Sequence, residues 1–218
     1  MIGKGKSISH GVAALEYDLA KEIDGQAAAT EIARHELYGC TGAEMVQEMK
    51  PYFTDFPNVK NNCLRFEVSP SIEESSSFTD TDWAELGNDF MQRIGLMNHQ
   101  YIIIKHSGTE SKKKQAHLHI LANRISLSGE LYRDNWIGKR ATEAANAIAK
   151  ERDFVQSQDI GKANKAEIKE AMNEVLKKLQ GFDLAKFQEE LGKLGFKVRE
   201  ARASTGKLNG YYVTARSG

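Results

Sequence analysis

The chain has 218 residues, and its 30 Lys and Arg are balanced by 30 Asp and Glu, so a formal net charge of zero excludes a uniformly basic protein that coats nucleic acid. That length is enough for one substantial core. No apolar run approaches the roughly 20 residues of a membrane-crossing helix, and Met1 through Lys6 lack the apolar segment of a secretory signal, so a cytoplasmic protein with no membrane contact is expected. Cys40 and Cys63 lie far apart without CxxC spacing, which argues against a disulfide framework or zinc knuckle and reads as two reduced core thiols.

In chain order, Lys4 and Lys6 precede a helix over Val12–Glu22 that carries Tyr17. His35 falls in a polar stretch of helical pattern, and a second helix over Thr41–Lys50 is expected to end before Pro51. Asn62–Ser69 alternates, with Leu64, Phe66 and Val68 on one face and Cys63, Arg65, Glu67 and Ser69 on the other, the pattern of a half-buried strand. After a polar connection, Thr79 with Asp82 three residues on forms a capping pattern for a helix over Asp80–Ile94, which Gly95 stops. His99 lies in a turn-like Met97-Asn98-His99-Gln100 segment.

Two strands follow, Tyr101–His106 and Ala116–Arg124, joined by the loop Ser107–Gln115 and closed by a Ser128-Gly129 turn. Helices over Arg140–Arg152 and Lys165–Leu179 come next, then a short helix from Asp183 to Leu191. The tail reads as a hairpin of Phe196–Arg202 and Tyr211–Arg216. Helices intercalated with antiparallel strands give the α+β class, a central antiparallel β-sheet flanked by helices in a two-layer sandwich. The expected organisation is a single domain over 1–218, with a core over 1–155 and C-terminal helices and a hairpin over 156–218. An end so soon after a strand suggests the N-terminal part of a longer protein.

The chemistry concentrates in three histidines. Successive side chains of a strand point to opposite faces, so His117 and His119 share one face, and a hairpin could bring His106 alongside. Three imidazoles leave coordination positions open, as in a metal centre that does chemistry, although histidines in strands also serve as ordinary hydrogen-bonded side chains. Imidazoles suit zinc, copper, nickel, cobalt or manganese by intrinsic affinity, whereas magnesium prefers oxygen. Basic residues at Lys4, Lys6, Lys112, Lys113, Lys114, Lys139 and Arg140, and along the tail, suggest a phosphate ligand. The nucleophile is then water, giving a hydrolase, or a side chain such as Tyr17, which on an amphipathic helix could equally be a core-rim residue. Tyr132, Trp136, Tyr211 and Tyr212 lie near basic residues and are candidates for base stacking, with core packing as the competing role.

Taken together, Ile8-Ser9-His10-Gly11, Tyr17 six residues after the glycine, the strand ending Glu67-Val68-Ser69-Pro70, Phe78 through Trp83, His106, and Ala116 through Arg124 resemble the mobilisation relaxases. These belong to the histidine–hydrophobic–histidine superfamily of single-strand endonucleases, and the version here is similar to the nuclease domain of Bacteroides-type mobilisable elements. The resemblance runs in order over about residues 1–155. It implies an enzyme that nicks and rejoins one DNA strand at an origin of transfer, by tyrosine transesterification through a 5′-phosphotyrosine intermediate.

On that resemblance His106, His117 and His119 match the metal triad and Tyr17 the nucleophile. His10 is the competing nucleophile, because some branches use histidine there; otherwise it contacts DNA. The resemblance implies manganese or magnesium in function, with nickel or zinc conceivable in a purified sample. It implies single-stranded DNA as partner, together with accessory mobilisation proteins, and a monomer. Glu67 would accept the tyrosine proton or orient an imidazole, a surface ion pair being the competing role. The expected DNA contacts are Lys4, Lys6, His10, Arg65, Lys112, Lys113, Lys114 and Arg124. Two positions depart from the pattern. Arg65 stands where many relaxases carry a strand histidine, and Ser107 and Gly108 stand where an acidic residue often follows the first histidine, with Glu110 a little later. The other readings are a water-using metal-dependent phosphodiesterase, and a replication initiator or DNA-binding module of the same superfamily.

Overall fold

The computed structural model describes residues 1–23, 25–107, 115–179, 181 and 183–215, so the expectations for Gly108, Glu110, Lys112, Lys113, Lys114 and Arg216 lie outside the described residues. The chain opens with β1 (Ile2–Ile8), where the sequence suggested only basic residues ahead of a helix. There follow α1 (Gly11–Leu19), the two-residue strands β2 (Glu22–Ile23) and β3 (Gln26–Ala27), β4 (Ala29–His35), α2 (Gly42–Phe53) and β5 (Cys63–Ser69). Next are α3 (Ile72–Ser75), α4 (Asp80–Ile94), β6 (His99–His106), β7 (His117–Ser126) and α5 (Ile137–Glu151). The chain continues through α6 (Ser157–Lys178), α7 (Leu184–Lys193), β8 (Phe196–Arg202) and β9 (Leu208–Ala215). It divides into two compact units, Met1–Ser157 and Gln158–Gly218.

The first unit is built on a five-stranded sheet in the order β1-β5-β7-β6-β4, with every neighbouring pair antiparallel. Alternation sorts its side chains cleanly. One face, with Leu64, Phe66, Val68, Ile103, Leu118 and Ile120, packs against α4 and α5 through Trp83, Leu86, Phe90, Ala141 and Ala145. The other face, with Cys63, Ile102, Ile104 and Leu121, is covered by α1 and α2 through Ala14, Leu15, Met45, Val46 and Met49. The result is the expected antiparallel sheet flanked by helices. Further along the α1 side, the same strands carry Lys4, Lys6, Arg65, Glu67, His106, His117 and His119. One sheet face is therefore apolar under its helices and polar beyond them.

Close packing explains β1. A Cβ at Gly3 would stand 2.4 Å from the Ala141 carbonyl oxygen, and one at Gly5 would stand 2.8 Å from the Phe66 ring, so glycine alone lets α5 lie against the strand. Thr142 fixes the contact by donating its hydroxyl to the Gly3 carbonyl at 3.0 Å. Glycines face inward and Lys4 and Lys6 outward, so the strand has no apolar alternation to announce it.

The sequence reading needs several other corrections. The first helix ends at Leu19, short of Glu22, because Glu22 and Ile23 turn back to pair with Gln26 and Ala27. Capping boxes form as expected at Thr79 and also at Thr41, but α2 passes through Pro51 to Phe53. A proline this close to the C-terminus removes one backbone bond, and Phe53 packs on the α1–α2 core in return. His35 belongs to a strand, its ring stacked on Tyr101 at 5.3 Å, and His99 begins β6 as a buried residue whose Nδ1 meets the Asn123 carbonyl at 2.9 Å. Of the two thiols only Cys63 is in the core, where burial pushes its pKa up to about 12; Cys40 is exposed.

The second unit has a small core of Ala171, Val175, Phe187, Leu191 and Phe196, with α7 capped by Asp183 and a two-stranded sheet of β8 and β9. Among the described residues no helix is long and apolar enough to cross a membrane.

Gly3→Val is expected to force α5 off β1 and to destabilise the first unit by about 1–3 kcal/mol, the usual penalty for overpacking. A urea midpoint measured against wild type checks it, and an unchanged midpoint would refute the close-approach explanation.

Candidate metal centre

The register of β6 on β7 sets His106 directly across from His117, and His119 follows two residues on along the same face. The three imidazoles offer ligand atoms that all lie within 4.8 Å of one another, and ring centroids are 4.4 Å apart for His106 and His119 and 4.9 Å for His117 and His119. Nε2 of His117 and Nε2 of His119 are 3.1 Å apart. Backbone acceptors orient two of the rings. His106 donates from Nε2 to the Asp18 carbonyl at 2.7 Å, and His117 donates from Nδ1 to the Gln115 carbonyl at 3.0 Å. A carbonyl only accepts, so each of these two rings keeps its other nitrogen as a lone-pair donor.

Burial favours the neutral form, the one that binds metal, in two of the rings. It holds His106 below its ordinary value, and it drives His119 down to about 2, helped by the neighbouring His106, His117, Arg65 and Lys21. Three converging imidazole nitrogens fit a first-row divalent cation.

Sequence reasoning missed Asp18. It is 1% exposed and completes the inward stripe Gly11, Ala14, Leu15, Asp18 of α1. Its carboxylate accepts from Arg65, from Nε at 3.1 Å and also from Nη2, and it lies 4.0 Å from Nδ1 of His119. Arg65 Nη2 is itself 3.4 Å from the same nitrogen. Burial pushes the Asp18 carboxyl up, against the opposing pull of the Arg65 guanidinium. The available signal was an acid at the i+7 position of an otherwise apolar helical stripe, a placement that demands a buried partner.

Tyr17 is the residue before Asp18 on the helix. It is 60% exposed, and Lys21 Nζ approaches its hydroxyl at 3.4 Å while lying 5.4 Å from the ring centroid. Lys21 is also one of the charges acting on His106 and His119, which ties the tyrosine to the same locality. Glu67 stands across from His119 on β5 and pairs with Lys4 at 2.9 Å. A cleft of about 220 Å³ is lined by Lys4, Gly5, Lys6, Arg65, Phe66, Glu67 and His119.

Not every candidate joins this group. His10 is the N-cap of α1 and lines a different pocket with Val46, Lys50 and Phe53. Seven residues of helix separate it from Tyr17, about 10 Å along the axis. Arg124 is engaged by the Asn61 and Tyr132 carbonyls, each at 3.0 Å, and by Asp134 at 2.7 Å. Tyr132 donates its hydroxyl to the Ile94 carbonyl at 2.7 Å and packs under Arg140, which fits the core role. Trp136, Tyr211 and Tyr212 are exposed.

Residues 17–154 match a family described as Relaxase: MobA/VirD2-like, nuclease domain. Among solved structures, the conjugative relaxase TrwC in complex with oriT DNA, in its metal-bound form, aligns with 95% of this chain and 74% of its own. The identity is 12% and the TM-score 0.39. No curated protein matches the chain.

Asp18→Asn is expected to weaken divalent metal binding about 10- to 100-fold, as loss of a residue that supports ligating imidazoles does. Calorimetric titration with Mn²⁺ checks it, and wild-type affinity would refute the role. Acid should also destabilise the fold. The folded pKa of His119 is depressed, so below about 6.5 the unfolded chain takes up a proton that the folded chain does not. Its contribution is present above that pH and is lost progressively on acidification toward about 2. Urea midpoints should therefore fall between about pH 7 and pH 5, less steeply in His119→Gln; parallel curves would contradict the assignment.

Proposed function

The chain belongs to the MobA/VirD2-like relaxase family, as a nuclease domain, and on that premise we propose that it nicks one DNA strand at an origin of transfer by attack of the Tyr17 hydroxyl. The observation that carries this reading is the convergence of three imidazoles against the helix of Tyr17, with the next residue, Asp18, touching the cluster through its carbonyl. Tyr17 Oη forms the new bond to phosphorus, the bond from phosphorus to the 3′ oxygen breaks, and the 5′ phosphate stays on the tyrosine.

His106, His117 and His119 would hold a divalent cation, manganese or magnesium, which when bound neutralises charge on the scissile phosphate. Lys21 stands beside the attacking oxygen, where an ammonium offsets negative charge developing in the transition state. Glu67 lines the cleft and would accept the phenolic proton once substrate displaces Lys4 from it. Lys4 and Lys6 extend the cleft as contacts for backbone phosphates. The substrate is single-stranded, because the phosphate must reach a site built on a sheet face. Accessory mobilisation proteins would present the origin as melted DNA.

Tyr17→Phe is expected to lower cleavage of origin DNA in Mn²⁺ by about three orders of magnitude or more, and to abolish a denaturation-resistant protein–DNA adduct. Gel analysis of the adduct, mapped by peptide mass, checks it. Cleavage that persists in Tyr17→Phe without an adduct would identify water as the nucleophile and refute the covalent step.

A further inference from the structure

Trp136 is an exposed aromatic whose carbonyl accepts a backbone bond from Arg140 at the start of α5, while its indole stacks on no other ring among the described residues. It is 80% exposed and its backbone lies in the left-handed region, φ 57 and ψ 27, which bulky side chains avoid. It precedes α5 as the N-cap residue without a capping side-chain bond, so the strain is not repaid there. Tyr132 makes the contrast, since its ring and hydroxyl are both used within the fold.

Position suggests what the indole meets. Two residues on, a Cβ at Gly138 would stand 3.4 Å from the Gly5 carbonyl oxygen, so the start of α5 abuts the edge strand β1. Gly5 lines the cleft together with Lys4, Lys6, Glu67 and His119. Arg133 and Lys139 on either side of Trp136 are exposed cations. An aromatic face between cations, across the β1 edge from a cleft that carries two more lysines on the opposite face of the sheet, has the chemistry that holds single-stranded nucleic acid: charge for the backbone and a ring for a base.

Building on the nuclease reading above, we propose that Trp136 is a stacking platform for one unpaired base of a strand that passes over the exposed β1 edge before its backbone follows Lys4 and Lys6 into the cleft. A left-handed backbone holds the indole out from the start of α5, and the cost to the fold is recovered on binding.

The test uses the full chain and a mixed-sequence single-stranded oligonucleotide of about 16 nucleotides. Trp136→Gly suits the left-handed backbone, so its melting temperature should equal or exceed that of wild type while its affinity for the oligonucleotide falls about tenfold. The loss should be the same at every salt concentration, because stacking releases no counterions, whereas Lys4→Ala should flatten the salt dependence. The other tryptophan, Trp83, is buried at 3% exposure, so fluorescence separates the two. Oligonucleotide should quench wild-type emission and leave Trp136→Phe emission unchanged. Wild-type affinity in Trp136→Gly, or quenching that survives in Trp136→Phe, overturns the platform while leaving the nuclease reading intact. A large fall in melting temperature in Trp136→Gly would make the residue structural and overturn it as well. Failure of wild type to bind the oligonucleotide overturns the platform, while the adduct assay on origin DNA decides the nuclease reading separately.

Discussion

The pairing of His106 with His117 across β6 and β7 is the constraint on which the site rests. Side chains alternate along a strand, so a slip of one residue in this register would carry His117 and His119 to the opposite face and bury them among Leu118 and Ile120's partners. The apolar pattern forbids it. Ile103, Leu118 and Ile120 must face α4 and α5, and that demand fixes where the imidazoles point. The three imidazoles thus need no local device of their own to find their face. The hydrophobic effect that builds the core also aims them, and carbonyls of Asp18 and Gln115 then set the rotation of two rings.

Asp18 and Arg65 show a different kind of dependence. Two charges held mostly away from water cost solvation that their attraction only partly returns, so the pair is poor value as a source of stability. What it does provide is geometry. The bidentate contact joins α1 to β5 at the point where His119 stands, and removing one partner would leave the other charged and unpaired beside the imidazoles. Arg65 was expected as a DNA contact; its guanidinium faces Asp18 and His119, and the residue also stands on the wall of the cleft.

Much of the framework was legible in the sequence. Alternation in Leu64, Phe66 and Val68 and the long apolar runs around the three histidines marked the central strands, and Thr79 with Asp82 marked the start of α4. What escaped has physical causes. β1 alternates glycine with lysine because its inner face is pressed against a helix, and β4 is a polar edge strand, so neither carries the apolar signal by which strands are read. The role of Asp18 depends on Arg65, 47 residues away, and no local pattern reports a contact of that range. Tyr17 and the histidines could be named from spacing and resemblance, but which groups surround them could not.

One feature of β1 also bears on how the molecule behaves in solution. The strand forms an outer edge of the sheet, and an outer edge offers unpaired backbone groups to any other extended chain. With glycine on its inner face, β1 has little bulk to discourage such pairing. Lys4 and Lys6 supply the deterrent instead, since a second strand laid alongside would have to desolvate or crowd two ammonium groups. The lysines proposed to meet nucleic acid therefore also guard the sheet against self-association, and neutralising them to study one property would alter the other.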